Sequence, residues 1–196
     1  MVHATARFRV VDTFAGPFAL IVSNSGELSA RFLTIGEVRR SLDGATHDPA
    51  LLGALIARLE RYFQGDAVSF DDIPTPVTSG FFFRCWDACR RIPRGQTRSY
   101  AELAEMAGSS PAAARAAGAA MRRNPLPVIV PCHRVVAAEG SLHGYGGSTD
   151  PSGRPLAIKQ ALLALEGFEG PPQPGGLLGK SGPMATARQA AMPAAR

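Results

Sequence analysis

No apolar run in this chain approaches the ~20 residues that a membrane-spanning helix needs. The opening stretch MVHATARFRV has neither a long apolar core nor a small-residue cleavage site, so no secretory leader is expected. Cysteine is scarce: Cys85, Cys89 and Cys132 are the three thiols in 196 residues. An odd count without a secretion signal argues for free thiols in a reducing compartment, the cytoplasm or nucleoid. A metal site is not expected. Cys85 and Cys89 stand one helical turn apart, but no second pair or histidine partner has zinc-site spacing. No glycine-rich loop follows a strand, so no cofactor is called for.

What is present is charge of one sign in one place. Residues 1–80 carry seven arginines against nine acids. Residues 84–134 carry nine arginines (84, 90, 91, 94, 98, 115, 122, 123 and 134) against Asp87, Glu102 and Glu105. Arginine suits bidentate phosphate contacts, which makes nucleic acid a candidate partner. A merely solvated basic surface is the competing reading.

The apolar pattern predicts an α+β fold. Residues 7–12 (RFRVVD), 18–22 (FALIV) and 27–33 (ELSARFL) read as strands of a small antiparallel sheet, with turns at Gly16-Pro17 and Ser23–Gly26. Asp48-Pro49 predicts a helix start, with Leu51, Leu52, Leu55, Ile56, Leu59 and Phe63 at helical spacing and Gly65 at the end. The Asp-, Ser- and Pro-bearing stretch 66–79 marks a linker. The expected organisation is an N-terminal α/β domain over 1–70, a linker at 71–80, a mostly helical domain over 81–170 and a disordered Ala/Pro/Gly tail over 171–196. In the helical part, Ser99–Glu102 fits a capping box, Gly108 stops that helix, and Ser110-Pro111 opens the next, giving a helix-turn-helix. Leu156–Glu166 is a last amphipathic helix closed by Gly167.

The informative segment is Asn124-Pro125-Leu126-Pro127-Val128-Ile129-Val130-Pro131-Cys132-His133-Arg134-Val135. Cysteine attacks as thiolate, so it needs a base, and an imidazole oriented by a carboxylate supplies one. The prolines are expected to hold the backbone extended and Val128–Val130 to bury it. A lone cysteine reads equally well as a small core hydrophobe.

The segment Pro131-Cys132-His133-Arg134-Val135 resembles the active-site signature of the O6-alkylguanine-DNA alkyltransferases. The likeness extends from Phe81 to Gly167, through Ile92-Pro93-Arg94-Gly95, Ser99-Tyr100, Ala114-Arg115-Ala116, Met121–Pro125, Gly144–Gly147 and Leu162–Gly167. It implies single-turnover repair of double-stranded DNA bearing O6-alkylguanine by a monomer, with O4-alkylthymine as a second candidate substrate. Cys132 is then the alkyl acceptor, His133 the base acting through a water, and Glu166 the group that fixes the imidazole. Asn124 pins the turn before the cysteine, and Tyr100 sits at the flipped nucleotide and helps protonate the departing guanine. Arg115 fills the gap left in the base stack. Ala114, Arg122, Arg123 and Arg134 join Tyr100 and Arg115 at the DNA. Tyr145 walls the alkyl pocket with Met121, while backbone groups of Cys132, Val135 and Gly146 meet the guanine edge. The alanine-rich helix 111–123 suits close approach to a groove, which the resemblance makes the minor one.

The chain departs from this pattern at Ser148–Pro155, an apparent insertion expected at the pocket rim. Its one base, Arg154, could meet a phosphate. Three other functions stay open: a damage-binding protein of alkyltransferase-like type without chemistry, a transcription regulator built on the helix-turn-helix, and a cysteine hydrolase. Cys132 speaks against the first, and the alanine-rich face against the second, since major-groove reading wants polar side chains. Transfer stoichiometry separates the third.

Overall fold

Four short strands open the chain: Arg7–Val11 (β1), Phe18–Val22 (β2), Leu28–Phe32 (β3) and Thr46–His47 (β4). The structure, a computed structural model, describes residues 5–34, 36, 38, 42, 44–76, 80–142, 144–146 and 153–168. The sheet order is β3-β2-β1-β4, antiparallel through the first three strands, with β4 parallel to β1. β2 is apolar throughout because both faces of its strand are covered. Phe18 and Leu20 enter the main core, while Ala19 packs on the other face with Leu33 and Leu42.

The helix Gly53–Phe63 (α1) lays Leu55, Ile56, Leu59 and Tyr62 into that core. It begins later than the Asp48-Pro49 start expected from sequence. Asp48 is held by Arg7 at 3.0 Å and accepts from the amide of Ala50, which makes a turn. Leu52 then takes a left-handed conformation (φ 51°), which an α-helix cannot include, so helical geometry starts only beyond it. The linker is tied down: Arg90 donates to the carbonyls of Phe70 and Ile73, and Arg58 pairs with Asp72.

Four more helices follow: Phe81–Arg90 (α2), Tyr100–Met106 (α3), Ala114–Arg122 (α4) and Arg154–Leu165 (α5). Both halves of the capping box form at Ser99 and Glu102. Gly108 (φ 72°) ends α3, with the amide of Ser109 closing on Ala104. A 3-10 turn over Pro111–Ala113 precedes α4. α3 and α4 pack together, and Trp86 on α2 donates to the carbonyl of Ala120 on α4 at 2.8 Å. Two further strands, Arg98–Ser99 (β5) and Val135–Val136 (β6), pair in parallel and were not anticipated. They tie the start of α3 to the segment after Cys132. One main core runs through both halves, from Val11 and Phe18 to Leu103, Cys132 and Leu162. The β3 amide of Ala30 also donates to Pro125 at 2.8 Å, so the sheet touches the turn that leads to the cysteine. Among the described residues, no helix is long and apolar enough to cross a membrane.

Candidate active site

Cys132 opens a 3-10 turn, Cys132–Arg134, immediately after Pro131. The run before it is not extended as expected. Val128 adopts a left-handed φ of 74°, and the amide of Val130 closes on the carbonyl of Leu126, so 126–130 is a tight turn. Asn124 braces this turn from inside: its amide donates to Val130 at 2.8 Å and its oxygen accepts from the amide of Leu126 at 3.0 Å. A β-branched residue seldom takes a left-handed φ without such support.

Cys132 lines a cleft of about 580 Å³. Tyr100, Ala114, Arg115, Met121, Tyr145 and Gly146 line the same cleft, as does Arg122, so the structure brings most of the expected site together. Arg115, Arg122 and Arg123 are exposed, and Arg123 lies over the Phe82 ring. Tyr145 is buried, with its ring 6.4 Å from that of Phe32 on β3. Burial pushes the Cys132 thiol up; the Asn124 amide, the Lys159 charge and the Tyr145 hydroxyl act against it. Burial also lifts Cys89 well above the ordinary range and Cys85 to about 11. Burial pushes the Tyr100 phenol up to about 12, which keeps it a proton donor.

His133 and Glu166 are both buried and meet at 3.0 Å, from the imidazole Nε2 to Oε1. Burial alone would raise the Glu166 carboxyl, but His133 and Arg134 hold it well below the usual carboxylate range. It is therefore a carboxylate, which only accepts hydrogen bonds, so Nε2 carries the imidazole proton. Burial lowers the imidazole of His133 despite the upward pull of Glu166, so the ring is neutral near pH 7. Nδ1 is then the basic nitrogen, and it is buried with no hydrogen-bond partner among the described residues. This is the arrangement that a general base requires.

Arg134 corrects an expectation. The resemblance puts it at the DNA, but its guanidinium turns inward, donating from Nε and Nη2 to the two oxygens of Glu166 at 2.8 Å and from Nη1 to the carbonyl of Ile92. A buried carboxylate needs a charge partner, and Arg134 is that partner. Gly95 completes the seat: a Cβ there would lie 3.0 Å from the Glu166 carbonyl. Arg154, although exposed, folds back along the surface and donates to the carbonyls of Ala15 and Leu33 at 2.8 Å, which leaves the phosphate role unsupported. The rest of the apparent insertion, 148–152, and the tail over 171–196 lie outside the described residues.

Two site residues escaped the sequence reading. Lys159 is buried, and its ammonium donates to the carbonyls of Val135 at 2.6 Å and Gly144 at 3.3 Å. Burial pulls it down to about 8 against the opposing effect of the Cys132 and Cys89 thiols. Its signal was a single base on the apolar stripe of α5, between Leu156 and Leu163. Tyr62 is also buried and donates to Glu166 at 2.8 Å. Its position three residues after Leu59 and seven after Leu55 put it on the buried stripe of α1.

Fold and site define a class: an α+β protein that opens one buried thiol, backed by an imidazole–carboxylate pair, beside a helix of small residues. Residues 80–168 match the family model described as 6-O-methylguanine DNA methyltransferase, DNA binding domain. The chain is similar to the methylated-DNA–protein-cysteine methyltransferase of Methanosarcina acetivorans, 46% identical over 160 residues, covering 82% of this chain and 97% of that protein. The Mycobacterium bovis protein of the same name is 37% identical over 171 residues, covering 87% and 96%. Among solved structures, Mycobacterium tuberculosis OGT in complex with DNA superposes with a TM-score of 0.67 at 38% identity, covering 82% of this chain and 92% of that one. The chain belongs to the methylated-DNA–protein-cysteine methyltransferase family.

Proposed function

We propose that this protein repairs O6-alkylguanine in double-stranded DNA by moving the alkyl group irreversibly onto Sγ of Cys132. His133 Nδ1, through an intervening water, takes the thiol proton. The thiolate attacks the alkyl carbon, the S–C bond forms and the C–O6 bond breaks. The electron pair leaves with guanine, which is protonated with help from Tyr100. The cysteine stays alkylated, so each chain acts once.

The observation that carries this reading is Cys132 lining a cleft next in sequence to a neutral, carboxylate-held imidazole. The cleft also meets the small-residue face of α4, where Ala114 and Ala119 flank it and Arg115 stands exposed at its mouth. A buried thiol can meet a base only if the base leaves the stack, and an inserted arginine reduces the cost of the gap. Residues 81–170 are the DNA-binding and reacting unit in this reading, consistent with the extent of the family match.

Intact-mass measurement after exposure to a duplex bearing O6-methylguanine tests the proposal. One added methyl per chain, mapped to Cys132 and absent in Cys132→Ala, is the expected result. Many products per chain would indicate a hydrolase, and unmodified protein on damaged DNA a binding module.

A further inference from the structure

Tyr62 lies on α1, in the N-terminal half, yet its hydroxyl reaches the pair that prepares the thiol. It donates to Glu166 Oε1 at 2.8 Å and stands 3.5 Å from His133 Nε2. Glu166 accepts only, so the Tyr62 proton points at Oε1, the same oxygen that receives His133 Nε2 and Arg134 Nη2. We propose that Tyr62 is a positioning residue of the proton relay, setting the basicity of His133 by sharing the Glu166 oxygen with it. This rests on the alkyl-transfer reading above.

The geometry separates this role from packing. The Tyr62 ring already has its apolar contacts, edge-on to Phe63 and Phe70, and a phenylalanine would keep them. Only the hydroxyl reaches Oε1. Three donors on one buried carboxylate oxygen divide its charge among them, and each additional donor weakens its pull on the imidazole proton. Removing Tyr62 Oη leaves the carboxylate more basic toward Nε2 and stabilises the imidazolium, which is the inactive form of a base.

The placement is fixed from both halves of the chain. Arg94 stacks over the Tyr62 ring at 5.5 Å and donates to the carbonyls of Gly65, Asp66 and Leu165. It thereby joins the C-terminal ends of α1 and α5, three residues from Tyr62 and one from Glu166. The groups facing His133 are Glu166, Arg134, Lys159 and Tyr62, with the Cys132 thiol as its chain neighbour. Of these, only Tyr62 comes from the N-terminal half, so the sheet-and-helix half takes a direct part in preparing the thiol.

The test is Tyr62→Phe in the full chain. Single-turnover methyl transfer is followed from pH 5 to 9, and the His133 ring is titrated by NMR in the free protein. The expected result is a rate about 2- to 10-fold lower near pH 6, recovering at higher pH. The acidic limb and the imidazole titration should both move to higher pH. A limb and a titration identical to those of the wild type overturn the proposal, even if the variant is less stable. If the wild type itself transfers no methyl, the repair reading fails, and the imidazole titration alone then decides whether Tyr62 sets its basicity. Should Tyr62→Phe not fold, Arg94→Met leaves the hydroxyl in place but frees the ring. It should shift the same limb in the same direction, and an unmoved limb counts against the proposal.

Discussion

The side-chain amide of Asn124 donates to the carbonyl of Val130, two residues before Cys132, at 2.8 Å. With the return bond from the amide of Leu126, it closes a turn in which Val128 is left-handed. Asn124→Ala should cost about 1–3 kcal/mol, because it leaves the buried Leu126 amide without its acceptor and removes the brace from a strained residue, although the Val130 carbonyl keeps the Cys132 amide as a donor. Transfer should slow as well, since the amide favours the Cys132 thiolate. Chemical denaturation and single-turnover kinetics on the same preparation check both. A slowed reaction at unchanged stability would make Asn124 purely electrostatic.

The imidazole–carboxylate pair predicts how stability follows pH. His133 and Glu166 both lie lower in the folded protein than in the unfolded chain. A group lowered by folding stabilises above its unfolded value and loses that contribution as pH falls through its folded one. Stability should therefore decline below about pH 6.5 as His133 is forced to charge, and further below about pH 4.3 as Glu166 is lost. Thermal midpoints measured from pH 8 to 4 test this, and Glu166→Gln should remove the lower step. His133→Ala and Glu166→Gln should each slow transfer by ~10²–10⁴-fold.

Lys159 gives the opposite limb. Its ammonium, brought down to about 8 by burial, is the cation set against the Cys132 thiolate. Transfer should stop rising with pH near 8, where the lysine loses its charge. Lys159→Met should be slow at pH 7 and regain rate as the medium deprotonates the thiol. A pH–rate series on both proteins decides it, and superimposable curves would sink the idea.

The sequence was legible where a local rule has one strong solution. The capping box at Ser99, the glycine stops at Gly65, Gly108 and Gly167, and the β2 run all lie where spacing and turn chemistry put them. The Cys132–His133 segment stood out through its likeness to a family, and Glu166 only through that likeness. What stayed hidden depends on long-range partners. β5 and β6 are two residues each, too short for any periodic signal. Leu52 and Val128 take left-handed turns that neither residue type favours, so no composition rule announces them. Arg134 looked like one base among nine because its carboxylate partner lies 32 positions away.

That inward turn separates the arginines by role. Arg122, which lines the cleft, and Arg123 next to it in sequence are both exposed and are expected to neutralise phosphates. Replacing either with alanine should lower the slope of log K against log salt by about one. Arg134→Ala should leave the slope unchanged while destabilising the fold, because it uncovers the buried Glu166 charge. Titrations of unmodified duplex at four salt concentrations distinguish the two behaviours. Loss of slope in Arg134→Ala would return that residue to the DNA.

Arg154, at the start of α5, ties that helix to the carbonyls of Ala15 and Leu33 beside the N-terminal sheet. Its guanidinium lies against Gly16, where a Cβ would come within 2.9 Å of Nη2. Gly16 also holds a φ of 97°, outside the range that other residues adopt easily. Arg154→Ala should cost about 1–3 kcal/mol, since it leaves the carbonyls of Ala15 and Leu33 without their donor. Gly16→Ala should cost at least as much, because it adds backbone strain to the displaced guanidinium. The two effects share one contact, so the double variant should fall short of their sum by about 0.5 kcal/mol or more. Denaturant midpoints for the four proteins of this cycle measure the shortfall. Strict additivity would mean that Gly16 is needed for its backbone alone, and that Arg154 does not depend on the space it leaves.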